Sequence, residues 1–137
     1  MTADGVLTAL LRLSAAFALA LPVGWDQERH SRSAGLRTYP LLAVGVCGAL
    51  LIGQAAMREQ IEEQANVVYA VVVAFGFLGA VAPHSRSGKG ARAALVWVIV
   101  AIGAAAAYGL FAFAGALALL TLAALHLPRP TRPEDPP

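Results

Sequence analysis

The sequence predicts an all-α integral membrane bundle of five transmembrane helices, with the N-terminus outside and the C-terminus cytoplasmic. Three observations carry this expectation. The chain is 58% hydrophobic, with a mean hydropathy of +0.67 and only 13% charged residues, whereas charged side chains make up about 25% of an ordinary soluble domain. Its apolar residues fall into long runs, matched to a bilayer whose hydrocarbon is about 30 Å thick. Its basic residues lie in the gaps between those runs, biased toward alternate gaps. That placement excludes nucleic acid as a partner despite a pI of about 9.1, because such binding needs a basic face on a soluble fold.

The runs 6–24 and 39–57 are each long enough, at about 1.5 Å of rise per residue, to cross the hydrocarbon. The third, 67–83, is shorter and still sufficient. A single helix over 93–127 would overshoot by roughly 20 Å. It is expected to divide into spans 94–108 and 110–126, with Tyr108 at an interface and Gly109 supplying a left-handed turn. Residues 1–127 therefore read as one transmembrane domain. The remainder, 128–137, reads as a short disordered tail, because its prolines remove donors and fix the backbone, and no soluble domain is expected after it. The rival for the first run is a cleaved signal peptide ending in the Ala-x-Ala pattern of Ala18 and Ala20. Asp4, with no Lys or Arg ahead of the run, argues against it.

Charge placement tests the count. With five spans, Arg29, Arg32, Arg37, Arg86, Lys89, Arg92, Arg129 and Arg132 all fall on one side, so that eight of the ten basic residues are cytoplasmic. Arg58 is left outside and Arg12 lies within the first span. A single long fourth helix would export the last two arginines.

The connector 24–40, "GWDQERHSRSAGLRTYP", gathers five charged residues in one short stretch. Pro22 permits a kink before it, and Trp25 suits the headgroup layer. Thr38 is expected to N-cap the second span, with Pro40 in the first turn, where its missing N–H is harmless. Arg37 then stands beside the positive end of a helix dipole, the wrong sign for helix stability. Its compensation is expected from lipid phosphate or from the carboxylates of Asp26 and Glu28. Asp26, Glu28, Arg37 and Thr38 form the candidate functional polar cluster.

This connector, followed by "VVAFGFLGA" in the third span, resembles the transmembrane domain of the MgtC/SapB family of bacterial inner-membrane proteins. Family members read Gly-Leu-Glu-Arg-Glu, then Ala-Gly-Leu-Arg-Thr at a fixed interval, and later Gly-Ile-Gly-Phe-Leu-Gly-Ala-Gly. Gly24, Glu28, the run from Ala34 to Thr38 and the run from Gly76 to Ala80 match, and Asp26 replaces the first Glu. Gln27 stands where the family has Arg, Ala74 and Val81 replace flanking glycines, and Ala70 lies where a glutamine is usual. Ala91 and Arg92 stand in place of a Thr pair, while Trp97 is kept. The resemblance implies the five-span fold with an external N-terminus in the bacterial inner (plasma) membrane. It links the chain to magnesium homeostasis and to regulation of a membrane ATP synthase, and assigns no transport to the domain. The C-terminal ACT-like domain that many members add is expected to be missing.

Within the spans, Gly76 with Gly79 and Gly45 with Gly48, extended by Ala49 and Gly53, are expected to pack helices closely. Arg12 lies about 9 Å into its helix. It is expected to snorkel outward, to pair with Glu59, Glu62 or Glu63 in the external connector, or to meet a substrate or ion. Cys47 is a lone thiol within an apolar run. His30, His84 and His126 have no metal-site spacing, and "HSRSGKG" lacks the first glycine and the Ser or Thr of a phosphate-binding loop. No cofactor and no enzymatic activity are expected. The chain reads as a regulator or interaction protein in the lipid bilayer, with a membrane-protein partner or a homo-oligomer, and alternatively as an ion-coupled transporter or channel subunit.

Overall fold

Helix follows helix wherever the apolar runs occur. The computed structural model describes residues 2–31, 35–81 and 89–128. It contains α1 (Ala3–Ser31), α2 (Thr38–Ala56), α3 (Ile61–Val81), α4 (Lys89–Ala107) and α5 (Phe111–Leu125), and among the described residues no strand. Three segments are long and apolar enough to cross a membrane: Ala3–Arg29, Thr38–Ala56 and Ile61–Leu78. The apolar helices Ala93–Ala107 and Phe111–Leu125 are shorter. The 15 residues of α5 reach about 22 Å, less than the hydrocarbon thickness. Arg32, Ala34, His84, Arg86 and the tail with Arg129 and Arg132 lie outside the described residues.

Local chemistry explains the boundaries. Asp4 sits in the first turn of α1, where a carboxylate complements the helix dipole. Pro22 removes a single amide donor, and α1 continues past it to Ser31. The connector expected from Gly24 onward therefore begins as two more helical turns. Val23 and Gly24, both buried, hold the chain there. Arg37, not Thr38, occupies the N-cap of α2 and makes no side-chain cap hydrogen bond; Thr38 is the first helical residue and Pro40 is buried in the first turn. Between α4 and α5, Gly109 has φ 73°. The Gly109 and Leu110 amides donate to the Ala106 and Ala105 carbonyls at 3.0 and 2.8 Å, a Schellman closure that needs a residue at home in the left-handed region.

Among the described residues α4 packs against all four other helices. The helices α1, α2 and α4 touch one another, α3 lies on α2 and α4, and α5 lies on α1 and α4. Between them Ala16, Ala20, Val46, Leu50, Ile99 and Ile102 are buried. Close approach depends on Gly103, where a Cβ would drive into the Ala43 carbonyl and come within 3.1 Å of Val46 Cβ. A Cβ on Gly53 would lie 2.9 Å from Val67, and one on Gly76 2.7 Å from the Trp97 ring. Gly45, expected to be a packing residue, meets nothing within 4 Å, and Gly48 meets only Leu13 at 3.8 Å. The inward face of α2 carries Ala43, Val46, Leu50 and Gly53. Gly45 and Gly48 are each two positions on from Ala43 and Val46, hence turned roughly 200° away. The surroundings of Gly79 lie outside the described residues.

Gly103→Leu should force α2 off α4 and cost at least about 1–3 kcal/mol, seen as a lowered thermal midpoint and loss of monodispersity in detergent. Gly45→Leu should stay within about 0.5 kcal/mol of the parent in the same measurement.

Candidate functional site

Polar side chains gather at the two ends of the bundle. At the end where α1 passes into α2, Gly24 and Gly35 meet backbone to backbone. A Cβ on Gly24 would lie 2.7 Å from the Gly35 carbonyl oxygen, and one on Gly35 2.9 Å from that of Gly24. Pro40 Cδ at 3.3 Å and Gln27 Cβ at 3.0 Å close the same contact. Both glycines of the motif are therefore required by the tight return of the chain.

Around this crossing the candidate cluster divides. Asp26, whose side chain is 14% exposed, places Oδ1 3.7 Å from Nε2 of His126 at the end of α5. His126 Nδ1 lies 2.7 Å from the Leu122 carbonyl, which only accepts, so Nδ1 is the donor there. Glu28, Arg37 and Thr38 are exposed. Among the described residues, neither Asp26 nor Glu28 lies within 4 Å of Arg37, so the expected pair is not formed. The cause is the extension of α1: residues 26 and 28 are roughly 200° apart on a helix and cannot converge on one cation. Asp26 faces α5 instead.

At the opposite end, Arg12 turns inward. Its Nη1 donates to the Ala107 carbonyl at 2.7 Å and contacts Gln54 Oε1 at 3.4 Å, and Gln54 Nε2 donates to the same carbonyl at 3.3 Å. Ala107 ends α4, and the Schellman closure uses the two carbonyls before it, so its own oxygen needs a donor from elsewhere. A guanidinium there also complements the negative end of the α4 dipole. Glu59, Glu62 and Glu63 are exposed and take no part. They belong to the turn into α3 and its first residues, and α3 does not touch α1 among the described residues.

Gln54 and the end of α4 are the partners of Arg12 that the sequence reading did not assign to it. The signal was an amide in an otherwise apolar span, at the same end of the bundle as the intramembrane arginine. Above Arg12 a cavity of about 750 Å³ opens between α1 and α2, with Asp4, Thr8, Gln54, Arg58 and Gln64 among its lining residues. Gln64 Nε2 donates to the Met57 carbonyl at 2.7 Å, closing the end of α2. Among the described residues, no three His, Cys, Asp or Glu side chains converge as a metal site would require. Cys47 is buried and has no disulfide partner.

Comparison with known proteins adds a family and little detail. The sequence profile of the MgtC family matches residues 13–133. A protein of Synechocystis sp. named "Uncharacterized protein slr0014" is 32% identical over 124 residues, covering 88% of this chain and 52% of that protein. The chain thus spans about half the length of this curated relative. No solved structure matches the chain.

Replacing Arg12 by Leu should leave the Ala107 carbonyl with the Gln54 amide alone and cost about 1–3 kcal/mol of stability, with Arg12→Lys recovering part of it. Thermal unfolding in one detergent compares both variants with the parent.

Proposed function

The chain belongs to the MgtC family, and on that premise we propose that it is a non-enzymatic regulator or interaction protein of the bacterial inner membrane, with five passes and an external N-terminus. It acts on another membrane protein, or on a second copy of itself, in a process tied to magnesium supply.

The observation that carries this reading is what the interior polar groups do. Arg12 and Gln54 end on a backbone carbonyl, and Thr121 donates to the Leu117 carbonyl of its own helix at 2.7 Å. The space between α1, α2 and α4 is filled by Ala16, Ala20, Val46, Leu50 and Ile99. A conducted ion needs successive polar ligands across the hydrocarbon, and these side chains offer none. The exposed Glu28, Arg37 and Thr38, at one end of the bundle, suit recognition by a partner at the membrane surface. The side chosen for them follows from the basic residues, eight of ten of which fall on it.

Reconstituted in liposomes, the protein should give no cation flux above empty-liposome leak under a Mg²⁺ or proton gradient. Flux that Asp26→Asn or Arg37→Gln abolishes would establish an ion-coupled transporter instead. For orientation, Arg58→Cys in a Cys47→Ala background should react with an impermeant maleimide in intact cells, and Arg37→Cys only after permeabilisation. The reverse pattern would invert the topology.

A further inference from the structure

The cavity above Arg12, about 750 Å³ in volume, falls within the range of sites that enclose small ligands, about 300–1,000 Å³. Both hydrogen bonds of Arg12 leave from Nη1. Among the described residues no acceptor meets Nε or Nη2, the edge of a guanidinium that grips phosphate or carboxylate with two parallel bonds. These donors are not sealed away, since no buried side-chain nitrogen or oxygen among the described residues lacks a partner. The partners Arg12 has are neutral, and among the described residues no carboxylate lies within 4 Å of it. This half-buried cation is thus met only by the negative end of the α4 dipole and by no anionic side chain, which leaves its other edge free to take an anion.

A second cation lines the same cavity. Arg58 reaches it from the turn between α2 and α3, and Asp4 is the one carboxylate among the lining residues, so the lining is net positive. Leu13, Leu51 and Ile52 line it as well. Ile52 is 71% exposed, which makes the cavity continuous with the apolar outer surface that a bilayer covers. A free anion would satisfy the arginines and leave these side chains in water. An amphiphile satisfies both.

We propose that this cavity binds the headgroup of an anionic membrane lipid, its phosphodiester held between Arg12 and Arg58 and its first methylenes lying along Leu13, Leu51 and Ile52. Native mass spectrometry of the full chain in detergent, with added dioleoyl phosphatidylglycerol or dioleoyl phosphatidylcholine, tests this. The parent should retain phosphatidylglycerol in preference to phosphatidylcholine. Arg58→Gln should weaken that retention about tenfold, while Arg29→Gln, at the far end of α1, leaves it unchanged. Arg12→Gln should weaken it too. Arg58 supplies the decisive variant, because it lies in an exposed turn and caps no helix. Equal retention of the two lipids, or retention by Arg58→Gln equal to the parent, would overturn the proposal. Displacement of the lipid by millimolar inorganic phosphate would overturn it in favour of a free-anion site, and failure of phosphate to compete supports the lipid.

Discussion

The bundle depends on how the short apolar helix α4 ends against its neighbours. The last carbonyls of a helix have no partner within it, and hydrocarbon offers none. The end of α4 is level with Arg12, which is about 14 Å along α1 from Ala3. The left-handed Gly109 lets the chain fold back and satisfy the Ala105 and Ala106 carbonyls. The Ala107 carbonyl is satisfied across helices, by Arg12 from α1 and Gln54 from α2. One oxygen thereby joins three helices, and the turn that leads into α5 is held against them. The same contact places a positive charge on the negative end of a helix dipole.

With α4 fixed at that end, the rest of the packing follows from small residues. Since lipid removes the hydrophobic incentive for helices to associate, contact rests on how near the backbones can come. Gly103 lets α4 lie on the backbone of α2 at Ala43, and Gly76 receives the ring of Trp97, which seats α3 against α4. Gly24 and Gly35 do the same where the chain turns back from α1 into α2. Gly24, Gly35 and Gly76 therefore have a structural account. Among the described residues the exposed Glu28, Arg37 and Thr38 beside them make no side-chain contact that holds the fold, and that separation sharpens where recognition would occur.

Much of this architecture was legible in the sequence. The five helices follow from the lengths of the apolar runs, and the break at Gly109 follows from the overshoot of a single last helix and the conformation glycine permits. Pro40 sits in a first helical turn as its missing donor requires. The errors share a cause: each needed the angular position of a residue relative to a neighbouring helix. Gly45 and Gly48 have the spacing of a packing seam, yet Gly45 is exposed and Gly48 meets α1 only loosely, at Leu13. Asp26 and Glu28 are close in sequence to Arg37, yet the continuation of α1 past Pro22 turns Asp26 toward His126. For Arg12 the sequence offers snorkelling, a pair with an external glutamate, or a substrate or ion; its partner is a backbone carbonyl, which has no signature in a sequence of side chains. Gln54 was the visible half of that interaction.

The cap on α4 can be tested by hydrogen exchange of the protein in lipid nanodiscs, comparing the parent with Arg12→Leu. If the guanidinium holds the end of α4, the amides of 104–111 lose protection in the variant, together with the facing end of α2, while the turn from α1 into α2 exchanges as before. Unchanged protection over 104–111 would contradict the role given to Arg12 and leave the bundle to helix packing alone.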